Sequence, residues 1–400
     1  MSVKPSRRGF VVGAAALLPA HVFAQEAPAA RNTAPPPGAA VGKPMTVISD
    51  PPRIWGPDAP PQMFPDPDIL VVDPAFNRLR MGQSNIHRLA TGFQWCEGPA
   101  WSGEGQYVVF SDVKGDVQYR YIWETGEVTA FRRPSYNSNG NTFDFQGRQI
   151  SCQHYLRRLV RWEHDGSLTV IADHFQGKHL NTPNDVACHR DGSIWFTDPP
   201  FGGSLSEGHP DEPGTGNNTA RLDTPYFGET GLGLPRPGQE DGAGNMTMEL
   251  PANTYRWDPS GRLDLVFTPD KLGTPNGIAF SPDYKIVYTM GSGKIYASDV
   301  DGAKVSNTRL LTDCMVDGIR CGPDGMRVDR GGNLWLGSTS ILGYSGVTIW
   351  SAAGKLLGRI RLPETCANLC FAGPKRDYLF MAAAQSIYMV RVNIQGAAPG

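Results

Sequence analysis

Short β-rich runs recur along this chain, several of them just after turns that contain glycine or aspartate. They are "YVVFSD" from Tyr107, "QISCQH" from Gln149, "IWFTDP" from Ile194, "IVYTMG" from Ile286, "LWLGST" from Leu334 and "YLFMAA" from Tyr378. Runs this short, rich in β-branched and aromatic residues, predict strands. Eleven residues before the second position of each run stands a polar side chain: Glu97, Asn139, Asn184, Asn276, Asp324 and Asn368. The intervals between these heads are 42, 45, 92, 48 and 44 residues. Units of this length with hairpin character predict an all-β fold, a propeller of six four-stranded blades. The long interval holds a Gly/Pro-rich insertion, residues 199–248, expected in the third blade as a lid or pocket wall. Only 32 residues follow Asn368, too few to complete a blade. "NRLRMGQSNIHRLATGF", just before the "CEGPAW" run, is therefore expected to supply the missing strand and cover an open edge.

The first strand of each propeller blade lines the central channel, so six heads at its start should meet at the channel mouth. Asn and Asp as plain turn formers would explain one or two heads easily, and six in one frame less well. Two acids with several Asn carbonyls make an oxygen-rich cup suited to a hard divalent cation. The charges of Glu97 and Asp324 would balance such an ion. Second strands that return to the mouth bring Asp112, His154 and Asp198 to the same face, with a loop histidine as the plainer reading of His154.

Composition narrows the setting. Glycine (47) and proline (34) are plentiful, which suits turn-rich β structure. A formal net charge of −2, with no Lys/Arg cluster past the first residues, argues against nucleic acid or an anionic membrane as partner. Residues 1–24 read as a twin-arginine export signal: Arg7 and Arg8, an apolar stretch from Gly9 to Pro19, and small residues Val22 and Ala24 before the cut. That apolar stretch is shorter than the ~20 residues a membrane span needs. The mature protein is expected in a bacterial periplasm, not inserted in the membrane. Residues 25–80 are rich in proline and read as an extended arm without a core of its own. Residues 81–400 are then the propeller. Seven cysteines lie beyond the signal, in a compartment that permits disulfides, and the odd count leaves at least one thiol unpaired in a monomer. No spacing among them suggests zinc or redox work, and structural cysteines are expected. Oligomeric state leaves no mark.

"EGPAW" (97–101), "NGNTFDFQGR" (139–148), "LNTPNDV" (180–186), "TPNGIAFSPD" (274–283) and "PDGMRVDRGGNLW" (323–335) together resemble the senescence-marker-protein/gluconolactonase/regucalcin-like family over about residues 90 to 395. "SCQHYLRR" (151–158) resembles a segment of its bacterial gluconolactonase-like branch, with Gln153 in place of an acid. The resemblance implies a six-bladed propeller, one divalent cation at the channel mouth, and hydrolysis of sugar lactones. It implies metal ligands at Glu97, Asn276 and Asp324, and Asn184 in contact with metal or substrate. Asp185 would orient the site or bind a polar substrate, and Asn139 is expected to orient substrate. Animal members carry an arginine where this chain has Thr182, so their substrate preference does not transfer.

A lactone is an activated ester, and its hydrolysis needs a polarised carbonyl and a positioned water. Asp324 is the first candidate for general base and His154 the second. No GxSxG elbow or catalytic-Cys signature is present, which disfavours covalent catalysis. Oxygen-only ligation tilts the ion towards Ca²⁺, while Mg²⁺, Mn²⁺ or Zn²⁺ can use the same set. The same cup would also serve a calcium-binding propeller without turnover. Other propeller enzymes, acting on aryl esters or organophosphates or holding a quinone for sugar oxidation, form a third class.

Overall fold

Each of the six runs forms the second strand of an antiparallel sheet, four-stranded in five blades and five-stranded in blade five. The computed structural model describes residues 53–55, 59–62, 64–204 and 248–399. The expected export signal, residues 25–52 of the expected arm, and the 199–248 insertion apart from its two ends lie outside the described residues. The first strands are Cys96–Ser102, Ser138–Phe143, Val186–Cys188, Pro275–Phe280, Pro323–Val328 and Cys366–Ala372, and each touches the next around a closed ring. Helical structure among the described residues is limited to two 3₁₀ turns, Pro74–Arg78 and Phe201–Ser204, and the single turn Pro269–Leu272.

The second strands read as apolar runs because neighbouring blades cover both of their faces. Ile194–Asp198 and Leu334–Ser338 are buried at every position. The sixth blade is completed by His87–Thr91, which pairs with Ser386–Arg391 as its outer strand. That strand comes from the segment before Glu97 and closes the ring.

The end of the expected arm is packed wall instead of linker. Ile69–Val71 pairs with Leu356–Arg361 as a fifth strand on blade five. Phe76 is fully buried in the core shared by blades five and six, which outweighs the extended preference of the flanking prolines. Arg53 bonds Asp66 and Asp68 at 3.0 and 2.8 Å, and Arg361 reaches Asp68 at 2.9 Å, so these buried charges are paired.

Two irregularities recur in register. At the mouth, the pairing of first and second strands slips in five blades, at Glu97/Ala100, Ser138/Asn141, Pro275/Ile278, Pro323/Met326 and Cys366/Asn368. A bulge re-aims the side chains beside it. At the far end, the residue eight places after the head is left-handed in five blades: Gly147, Gly192, Tyr284, Gly332 and Arg376.

Candidate functional site

In five blades the bulges lie at the heads, and the backbones of adjacent blades meet behind them. A Cβ at Gly140 would stand 2.2 Å from the Asn184 carbonyl oxygen, and one at Gly277 2.3 Å from that of Asp324. Glycine directly after the head is therefore a packing requirement. Blades three and six depart from this pattern: Leu369 follows the sixth head, and Asp185 follows the third and adds a carboxylate there.

Hydrogen bonds join the heads. Asn184 Nδ2 donates to Asn276 Oδ1 at 2.6 Å, and Asn276 Nδ2 donates to Asp324 Oδ1 at 2.6 Å. Asn368 Nδ2 donates to both Glu97 Oε2 (3.1 Å) and Asp185 Oδ1 (2.9 Å). Residues up to 271 positions apart in sequence thus share one cup. Asn139 lies in the same frame, and its carbonyl accepts from Ser111 Oγ at 2.8 Å and Asn141 Nδ2 at 3.0 Å. Glu97 and Asn184 are each 2% exposed and Asn276 8%, whereas Asp324 is half-buried and so the most open of the four proposed ligands.

The returning strands carry other duties. Asp112 accepts from the backbone N–H groups of Gln94, Trp95 and Gly115, so it pins the entry to blade one. His154 is buried beneath the turn Phe201–Ser204, where a Cβ at Gly202 would stand 2.4 Å from its ring. Thr182 Oγ1 donates to Pro199 O at 2.6 Å and accepts from Gly202 N at 3.1 Å, which anchors the start of the insertion. Its hydroxyl is thus committed to the backbone of the insertion. Asp198 is fully buried, and burial pushes its carboxyl up to about 8.

The donor set fits a hard cation. Asn184 Oδ1 is buried without a hydrogen-bond partner, an acceptor that a cation would satisfy. Among the described residues no three carboxylate, imidazole or thiol groups form a metal cluster, so an ion here would also need amide oxygens. The cup's negative field is felt by its neighbours: burial, then Glu97 and Asp324, push the Cys366 thiol far up. All seven cysteines are free, buried thiols, which keeps them unreactive.

Two residues of this region were not singled out from the sequence. Asn141 joins the mouth carbonyls to the side chains between blades one and two. Arg327 lies deeper in the channel, its guanidinium donating to the carbonyls of Met326, Pro99 and Asn141 at 2.9, 3.2 and 3.3 Å. Their positions two and three places after a head were the available signal.

Comparison with known proteins places the chain among propellers of this kind. Residues 95–385 match the family model for the SMP-30/Gluconolactonase/LRE-like region. The chain is 26% identical over 336 residues to a gluconolactonase of Zymomonas mobilis, covering 78% of this chain and 82% of that one. A solved gluconolactonase from Xanthomonas campestris is 30% identical, with a TM-score of 0.64 and coverage of 85% and 99% of the two chains. A calcium-binding regucalcin from Agrobacterium tumefaciens shares the fold at 17% identity, with a TM-score of 0.56 and coverage of 77% and 94%.

Proposed function

Since the chain belongs to the SMP-30/gluconolactonase/LRE-like family, we propose that it hydrolyses a sugar-type lactone in the cup at the channel mouth, with a divalent cation held there. The observation that carries this reading is the gathering of in-frame heads into one hydrogen-bonded cup. Lactonase relatives over most of the chain support the reaction class.

Glu97, Asn184, Asn276 and Asp324 would hold the cation, which when bound supplies Lewis-acid polarisation of the lactone carbonyl. Charge supports the assignment. Glu97, Asp185 and Asp324 bring three negative charges to this end of the channel, and Arg327 below returns one positive. Two remain for a divalent ion.

Asp324 is open enough to meet a water at the lactone carbonyl, and its carboxylate takes the proton as that water attacks. His154, under the turn that begins the insertion, is the second candidate for that proton. Asp185 and Asn139 present oxygen and amide groups to the hydroxyls of a polar substrate. Asn368 keeps Glu97 and Asp185 in position through its single amide nitrogen. The twin-arginine segment supports a periplasmic site of action, and free thiols throughout suit a chain that folds before export.

Proton release from glucono-1,5-lactone, followed with and without a chelator and in Asp324→Ala, tests the reading. Enzymatic acid release should fall on the order of 10²–10³-fold in the variant, and should also fall when the ion is removed. Release no faster than spontaneous hydrolysis in the native protein would leave a binding propeller without turnover. A full rate in Asp324→Ala would remove the proposed base.

A further inference from the structure

The opposite end of the channel carries a second concentration of charge, of the other sign. Six places after each head, on the turn between first and second strands, stand Gly103, Phe145, Arg190, Pro282, Arg330 and Pro374. Two of these are arginines, and Arg376 joins them from blade six. With Phe145 and Tyr284 they line an open cavity of about 480 Å³, bordered on one side by the tail residues Ala397 and Pro399. No acidic residue lines it. The chain as a whole carries a formal −2, so this basic ring is a local feature.

The acids next in sequence to these arginines are committed elsewhere. Asp191 pairs with Arg256 at 3.3 Å and with His189 at 2.9 Å. Asp329 accepts from Asn333 N and Trp335 Nε1, both at 2.9 Å. Asp377 pairs with Arg391 at 3.1 Å. Meanwhile burial, and then the neighbouring Arg330 charge, hold the Arg376 guanidinium below its usual value. Like charges are thus brought together while their obvious counter-charges face away.

Backbone conformation adds an independent sign. Glycine fills the left-handed turn position in blades two, three and five, but Tyr284 (φ +62°) and Arg376 (φ +52°) fill it in blades four and six. That conformation is unfavourable for a residue with a Cβ, and strain of this kind gathers where a side chain must be presented. Both of these side chains face the basic cavity. Arg190 lies over the Tyr284 ring at 4.8 Å, and the Phe145 and Tyr284 ring centroids are 5.9 Å apart. One wall therefore offers the exposed Phe145 ring, inclined 60° to that of the buried Tyr284, beside guanidinium forks.

We infer that this far mouth is a binding site for a small multivalent oxyanion carried on a flat organic group, separate from the cup and independent of the lactone reading. Guanidinium groups suit the bidentate oxygens of a phosphate or a paired carboxylate. Calorimetric titration of the full chain at fixed ionic strength, with phenyl phosphate and benzoate as probes, tests it. Phenyl phosphate should bind saturably, and benzoate at least about tenfold more weakly for want of the second charge. Arg190→Gln/Arg330→Gln, which alters two exposed side chains, should weaken phenyl phosphate roughly thirtyfold while leaving Tm in place. Asp324→Ala should leave that binding unchanged. No saturable binding, undiminished binding in the double arginine variant, or loss of binding in Asp324→Ala would each overturn the assignment.

Discussion

Blades five and six meet through hydrocarbon, whereas blades one and two meet through amides. In the first seam Trp335, Ile360, Leu369, Phe371, Leu379 and Met381 pack into one continuous core with Phe76 from the arm. In the second, the apolar contribution is the small cluster of Ala100, Val109 and Phe143, with Tyr107 and Phe131 packed against it. Asn141 fills the rest as a hub. Its Nδ2 donates to Gly98 O, Ser111 Oγ and Asn139 O at 2.9–3.0 Å. Its Oδ1 accepts from Gln118, Gln149 and Ser151 at 2.8, 3.1 and 2.8 Å. Arg132 caps this group through Gln118 and Gln149, and burial pushes its guanidinium down to about 10. Hydrophobic packing holds blades together without direction, but hydrogen bonds also fix angles. The polar seam ends on the carbonyls beside Glu97 and Asn139, where direction matters to the cup.

The largest effect should come from breaking the hub. Asn141→Leu leaves several buried donors and acceptors without partners, at a cost of about 4 kcal/mol. Lactone turnover by the remaining folded protein should fall as well, because two heads lose the bonds that orient their backbone. Chemical denaturation together with initial rates measures both. A stable variant with full turnover would reduce the polar seam to simple filler.

The apolar seam should respond in stability alone. Leu379→Ala removes a fully buried side chain from that core and should cost about 3 kcal/mol. Turnover per folded molecule should stay at the wild-type value. A parallel loss of turnover would mean that the seams are mechanically equivalent after all.

The architecture was legible because its signal repeats. Second strands, covered on both faces, show as hydrophobic runs, and the recurring bulge keeps the heads in one frame. Outer strands carry far less of that signal: Lys304–Thr312 is exposed along most of its length, so neither its alternation nor its bounds stand out. Six of the heads' positions could be read, and so could Asp185 beside one of them. The hub could not, because the use of Asn141 depends on which blade it faces and on glutamines from two other strands. The packed end of the arm was hidden for a related reason. Its prolines advertise extension, while only a few apolar residues, Phe76 foremost, tie it down.

A third seam sharpens the contrast, since it places one acid in largely apolar surroundings. Asp198 lies where blades two and three meet, near Cys152, Phe196 and Tyr255. Its Oδ2 accepts from Asn181 N at 2.8 Å, but its Oδ1 is buried without a partner. No network like that of Asn141 satisfies it, and its carboxyl is accordingly raised from 3.8 to about 8 by burial. Between those two values the folded chain keeps a proton that the unfolded chain has released. Wild-type stability should therefore fall as pH rises through this window and level off above it. Asp198→Asn cannot titrate and can still accept from Asn181, so its stability advantage should widen with pH. The slope is at most about 1.4 kcal/mol per pH unit. Denaturation midpoints for both proteins between pH 5 and 8 measure it. A gap that does not change with pH would mean Asp198 is ionised in the folded protein, and that this seam solvates charge as well as the polar one does.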